Sequence, residues 1–411
     1  MPSKSANSHF VADICADGEM PFMQLNFSTY EAAIALQTRL IEQLSRLSRP
    51  SNVLGAVIQA RCRRRPDHRT PAQKIFLVVN WTTLVILSFL FTVSLVLEVS
   101  QVRTSSHLCL RIILIIVRIE ATFAFVCVFI WFWNEGNIKI REDILKSTNG
   151  VGIVKKSAIL HGQNKIAIIY GFLRVAFYAS AYGLFQFHHR HPLLNFQLSV
   201  DPNLLNVIFL SIVIIQFAAF PILFSIFTYV LLCLIAEFEG LSEDFEGDEN
   251  TYQLPVIRHY LFAHAQILYV FHKFRTYFAQ VGNGFVLCAI CTLIAALHPS
   301  FNDIIVEWKT TTIIIIAVID HCLVKNLIFG FGAAVNESVV SFSEPTLRIV
   351  AANRVLHEEV ASTILGYHTF LKTSRKSRLL LFELCPYKRQ YCFILMVFLI
   401  FAALWKLPSI T

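Results

Sequence analysis

Residues 108–133 read LCLRIILIIVRIEATFAFVCVFIWFW. Only Arg111, Arg118 and Glu120 interrupt this apolar run. A bilayer core about 30 Å thick takes roughly 20 apolar residues as a helix, so the stretch is long enough to cross a membrane. Arg111 lies three residues from one end and can snorkel. Arg118 and Glu120 fall near the midplane, where a charge costs about 2.5 to 3.5 kcal/mol to insert. The run therefore implies a bundle, because these two charges need partners from neighbouring helices.

Working outward, similar runs occupy 75–97, 166–187, 204–236, 281–298 and 311–333, and a shorter one occupies 391–407. The expected fold class is an all-α membrane protein of seven transmembrane helices, with helical extensions below the membrane. Residues 1–73 form an N-terminal segment and 74–411 the seven-helix domain. The composition agrees: 55% of the 411 residues are hydrophobic and 15% charged, against about 25% charged in soluble domains. Mean hydropathy is +0.59. A soluble enzyme of two or three domains is excluded. The first 30 residues hold no apolar core of signal-peptide length, so no cleaved leader is expected. The ten cysteines sit mostly within or beside apolar runs and do not read as a disulfide framework.

Charge sets the orientation. Of 35 Lys and Arg, 27 fall on one side of this seven-span plan and four on the other. The basic side includes Arg61, Arg63, Arg64 and Arg65 before the first span and the stretch Lys139–Lys165 after the second. By the positive-inside rule the N-terminus is expected in the cytoplasm and the C-terminus outside. The arginine cluster reads as a topology anchor beside anionic lipid, not as a nucleic-acid site.

The loops on the basic side carry their own patterns. Ser28 to Glu31 is a capping box opening a helix to about Leu47. The acidic run Glu237, Glu239, Glu243, Asp244, Glu246, Asp248, Glu249 reads as a solvated, flexible loop, without calcium-loop spacing. Leu261, Ala265, Leu268, Phe271 and Phe278 share one helical face, as do Ile349, Ala352, Leu356, Val360, Thr363, Tyr367 and Phe370, with Arg354 and Glu358 spaced for a pair. Such stripes require burial, so these helices are expected to pack under the membrane as extensions of spans four, five and six.

Inside the bilayer the candidate site is Arg118, Glu120, Arg174, Asp320 and Lys325. Glu120 is expected to meet Arg174 or Arg118, and Asp320 to meet Arg118 or Lys325. His321 reads as a core histidine, and Cys288-x-x-Cys291 as small residues inside a span. The His188-His189-Arg190-His191 run, with His107 and His298, lacks defined ligand spacing. No metal site, no cofactor and no catalytic constellation is expected: there is no Gly-rich phosphate loop, no His-Glu-x-x-His and no nucleophile elbow.

Seven spans, a cytoplasmic N-terminus and a helical cytoplasmic layer together resemble the insect gustatory and odorant receptor superfamily and its nematode gustatory-receptor-like relatives. Locally, His264–Phe285, with Phe278 and Gly282-Asn283-Gly284, resembles that family's approach to its fifth helix. Phe382-Glu383-Leu384-Cys385-Pro386-Tyr387-Lys388-Arg389 resembles its lead-in to the last helix. The family's Thr-Tyr, five apolar residues, Gln-Phe signature is absent; the nearest string runs from Gln390-Tyr391 to Val397-Phe398. The resemblance implies a plasma-membrane chemoreceptor, a homo- or hetero-tetramer gating a cation pore on a small-molecule ligand. Span seven would line that pore, with Phe393, Val397 and Phe401 as its constriction. Tyr170, Phe177, Tyr178, Tyr182, Phe217, Phe220 and Trp308 are the aromatic candidates for pocket walls. The alternatives are a G-protein-coupled serpentine chemoreceptor, a transporter and a non-conducting accessory subunit.

Overall fold

The computed structural model describes residues 71–100, 108–134, 136–148, 150–188, 202–248, 253–297, 308–352, 358–373, 378–382 and 384–388, with 390, 397 and 401. The capping box at Ser28, the arginine cluster, Arg354, His107, His298 and Phe393 lie outside them. So do the side chains of Lys325 and of the His188 run.

These residues are almost entirely helical. The elements are α1 (Pro71–Ser100), α2 (Leu108–Trp133), α3 (Gly136–Thr148), α4 (Val151–Lys155), α5 (Ser157–His188), α6 (Pro202–Phe217), α7 (Ala219–Gly247), α8 (Leu254–Leu297), α9 (Trp308–Ser341), α10 (Ser343–Ala352) and α11 (Glu358–Thr373). A two-residue ladder, β1 (Leu380–Leu381) against β2 (Cys385–Pro386), follows. Five helical runs are long and apolar enough to cross a membrane: Leu108–Phe132, Ser157–Leu184, Val207–Gly247, Leu254–Leu297 and Trp308–Ala351. The chain is thus a multi-pass membrane protein. Among the described residues α1 carries a further apolar stretch, Val85–Val96.

Burial follows the physics of a bundle in lipid. α7 is the central helix, packed against α2, α4, α5, α8 and α9, and most of its residues from Ala219 to Ala236 are buried. A helix apolar all round can sit in the middle of a bundle with no face left unsatisfied. α5 lies at the edge and exposes Ile159, Ile166, Ile169, Phe172, Leu173 and Leu184. An apolar stripe of that length facing outward belongs against lipid tails. Between α6 and α7 the chain breaks for one residue at Ala218, three before Pro221. Pro221 has no N–H to donate, which is tolerated in a first helical turn.

The acidic run after span four is a correction. It is a continuation of α7 to Gly247, not a flexible loop. Glu237 is buried and turned onto the start of α4: it accepts from the Ile153 N–H at 2.8 Å and from the Thr148 hydroxyl at 2.5 Å. Lys156 holds Glu239 at 2.6 Å and Glu243 at 2.8 Å, and Lys155 pairs with Asp244. Partial burial pulls the Lys156 pKa down, but the bonds to Glu239 and Glu243 outweigh it and leave it raised. The sequence showed the charges but not the lysines that fold back onto them.

The described residues of both amphipathic stripes are largely buried. Leu261, Leu268, Phe271 and Phe278 on α8 join one continuous core with Ile349 on α10 and Val360 and Tyr367 on α11. His264 Nδ1 lies 2.8 Å from the Tyr367 hydroxyl, and its ring stacks 4.9 Å from Phe342. α8, at 44 residues, is about 66 Å long, twice the thickness of a hydrocarbon core.

Candidate functional site

Arg174 on α5 is fully enclosed and points between α2 and α9. Its Nη2 donates to Glu120 Oε2 at 2.6 Å, and its Nε donates to Asp320 Oδ2 at 2.8 Å. Two tyrosines one turn to either side on α5 complete the coordination of Asp320: Tyr178 donates to Oδ2 at 2.8 Å and Tyr170 to Oδ1 at 2.6 Å. Spacings of four along one helix bring Tyr170, Arg174 and Tyr178 to a single face. The guanidinium also sits 4.1 Å from the centroid of the Phe220 ring, a cation–π contact that gains strength where water is excluded. His321 Nδ1 is 3.9 Å from Glu120 Oε2. Glu120 Oε1 and Arg174 Nη1 are buried with no hydrogen-bond partner among the described residues.

Arg118 belongs to a second network. Its Nη1 donates to Glu98 Oε2 at 2.7 Å and to the Ser94 carbonyl at 3.3 Å, its Nε to Gln216 Oε1 at 3.2 Å, and its Nη2 to the Ser94 hydroxyl. Gln216 in turn donates to the Arg118 carbonyl at 3.0 Å and to the Thr122 hydroxyl. The Tyr182 hydroxyl lies 3.0 Å from Glu98 Oε1 and 3.1 Å from the Leu114 carbonyl. α1, α2, α5 and α6 are tied here, as α2, α5 and α9 are tied around Arg174. Phe217 stands between the networks, its ring 5.9 Å from both Tyr178 and Tyr182.

The expected pairing of Glu120 with Arg174 is present. Asp320 meets Arg174 and not Arg118, which meets Glu98; the Lys325 side chain lies outside the described residues. Depth along a helix was readable from the sequence; the direction a residue faces around its axis was not. Glu98 was missed because the apolar run ends at Leu97, whereas the helix continues to Ser100. An acid one residue past an apolar run, with an arginine at mid-depth in the next, was the available signal. Gln216 carried none.

Among the aromatic candidates, Tyr178, Tyr182, Phe217 and Phe220 are fully buried and touch one another, with Tyr170 and Phe177 packed beside them. Trp308 is 68% exposed and stands apart. Val397 and Phe401 are both exposed. Chemically, the arrangement fixes three helices around one guanidinium and presents aromatic faces and phenol hydroxyls beside it.

No protein-family model matches the chain, and no curated protein matches it.

Proposed function

We propose that the chain is a gustatory-receptor-like chemoreceptor: a seven-helix plasma-membrane protein with a cytoplasmic N-terminus, acting as a subunit of a ligand-gated cation channel. The observation that carries this reading is the length of α7, α8 and α9. They pack against one another well beyond the reach of a bilayer and, with α10 and α11, build a helical layer at one end. Lys155, Lys156, Arg258 and Arg348 lie at that same end, which supports its cytoplasmic location. Ligand recognition is assigned to the aromatic cluster around Tyr170 and Tyr178. There a bound molecule that displaces a phenol from Asp320 alters the contact between α5 and α9. The pore is assigned to the last segment, with Phe393, Val397 and Phe401.

The test is access of antibody to terminal tags on intact cells, followed by current recording. A C-terminal tag exposed and an N-terminal tag hidden are expected. The reverse, an exposed N-terminus with a hidden C-terminus, removes the channel and supports a G-protein-coupled receptor. A transporter is the second reading, favoured by the buried carboxylate oxygen of Glu120 that no group among the described residues meets; substrate uptake without conductance would select it.

A further inference from the structure

Two places far apart in sequence meet in space: Asn283 on α8, and Phe382 with Tyr387. The ladder of β1 and β2 pairs Leu380 with Pro386 and Leu381 with Cys385. Its turn begins at Phe382, whose φ of 48° is the left-handed conformation that non-glycine residues seldom adopt. The Phe382 N–H donates to Asn283 Oδ1 on α8 at 3.0 Å, and the Tyr387 hydroxyl reaches the same oxygen at 3.3 Å.

On the other side stands Asn336 of α9. Its amide donates to the carbonyls of Leu379 at 3.1 Å and Tyr387 at 3.2 Å, and its Oδ1 accepts from the Leu379 N–H at 2.6 Å. One side chain thus uses both donors and an acceptor on the two ends of the hairpin. Leu379 and Tyr387 are themselves joined, the Tyr387 N–H donating to the Leu379 carbonyl at 3.1 Å. Asn336 and Leu379 are buried, so each lost bond strands a polar group away from water.

Tyr387 is the keystone of the joint. Its ring is 2% exposed and packs 5.0 Å from Phe329. A Cβ at position 282 would fall 2.3 Å from its hydroxyl oxygen, and one at 332 would fall 3.1 Å from its Cγ. Glycines on α8 and α9 make the socket, and asparagines on the same two helices lock what enters it.

Four residues after Tyr387 the last apolar run begins. α9 carries Asp320 as well as Asn336, 16 residues and about 24 Å along one helix. We propose that this hairpin is a clamp that orients the segment beginning at Tyr391 relative to α8 and α9, with Asn283, Asn336 and Tyr387 as its positioning residues. On the channel reading, the clamp delivers a shift of α9 to the pore segment. The clamp itself stands or falls independently of that reading.

The experiment is distance measurement by paired spin labels on the full chain in lipid nanodiscs. Labels are placed through genetically encoded amino acids so that native cysteines stay in place. One pair joins 397 to 287 and reports the clamp; a second joins 169 to 287, all three sites being exposed, and reports the bundle. In the otherwise native protein the first pair gives one narrow distribution. Asn336→Ala at least doubles its width and leaves the second pair unchanged. Tyr387→Phe, which removes only a hydroxyl, and Asn283→Ala broaden it less, and they decide the matter if Asn336→Ala does not fold. An unchanged 397–287 distribution in folded variants overturns the clamp, as does equal broadening of both pairs. Absence of current in every variant, the native chain included, with distances that still respond, refutes the channel and leaves the clamp standing.

Discussion

Asp320→Asn tests whether the Arg174 cluster holds the bundle together. Asp320 receives three hydrogen bonds, from Arg174, Tyr178 and Tyr170. An asparagine carbonyl facing Arg174 keeps two of these geometries, and its amide can donate to the Tyr170 hydroxyl, so the loss is mainly of charge. A hydrogen bond to a charged group contributes about 1.5 to 3 kcal/mol and a neutral one about 0.5 to 1.5. The two tyrosine bonds make that conversion and the Arg174 bond loses one of its two charges, about 3 kcal/mol in total. Arg174 keeps Glu120, so the cost stays at the low edge of the 3 to 5 kcal/mol that follows from stranding a buried charge. Arg174→Met strands two carboxylates and should cost more; Glu120→Gln loses one bond and should cost less. The assay is detergent-induced unfolding of the full chain in bicelles, with Asp303→Asn, between spans five and six in the sequence, as the control. The expected order is Arg174→Met, Asp320→Asn, Glu120→Gln, Asp303→Asn. Equal midpoints for Asp320→Asn and Asp303→Asn would refute the reasoning.

Glu98→Gln leaves the buried Arg118 guanidinium without its carboxylate and should destabilise by about 3 to 5 kcal/mol; adding Arg118→Met should recover more than half, as measured by the same unfolding midpoints. Glu237→Ala strands the Ile153 N–H at about 1 to 3 kcal/mol and should raise amide exchange over 150–156 while sparing α9. Burial, then Lys372, holds the His368 pKa below its usual value, so its contribution is present above about pH 6.5 and is lost as pH falls through the lower folded value. His368→Gln should flatten that acid limb of the stability profile; an identical limb in both proteins rejects the assignment.

The apolar runs made the membrane class and helix positions legible, because hydropathy over 20 residues is a strong signal and lipid permits little except helix. The stripes at Leu261–Phe278 and Ile349–Tyr367 were legible for the same reason, since each face had to be buried. Partner choice was not. Hydropathy gives depth, and which of Arg118, Arg174 or Lys325 meets Asp320 depends on how α5 and α9 are rotated. The acidic run misled because charge density resembles a loop when the lysines that neutralise it, Lys155 and Lys156, lie 83 to 89 residues earlier. The hairpin was invisible as structure, its ladder being two residues long, although both strings that build it stood out.

The Arg174 cluster also has a history written along the chain. Glu120 precedes Arg174 by 54 residues, and Asp320 follows it by 146. At roughly 5 to 20 residues per second of synthesis, Asp320 emerges from the ribosome about 7 to 30 s after its arginine. Until then Glu120 on α2 is the carboxylate available to Arg174, and Glu98 on α1 the one available to Arg118, so the early charges balance among α1, α2 and α5. α9 then brings a further acid, Asp320, whose insertion penalty of about 2.5 to 3.5 kcal/mol is relieved by docking on Arg174, Tyr170 and Tyr178 of α5. Biogenesis therefore has an order: the early half is self-sufficient, and the late half is held in the membrane by what preceded it.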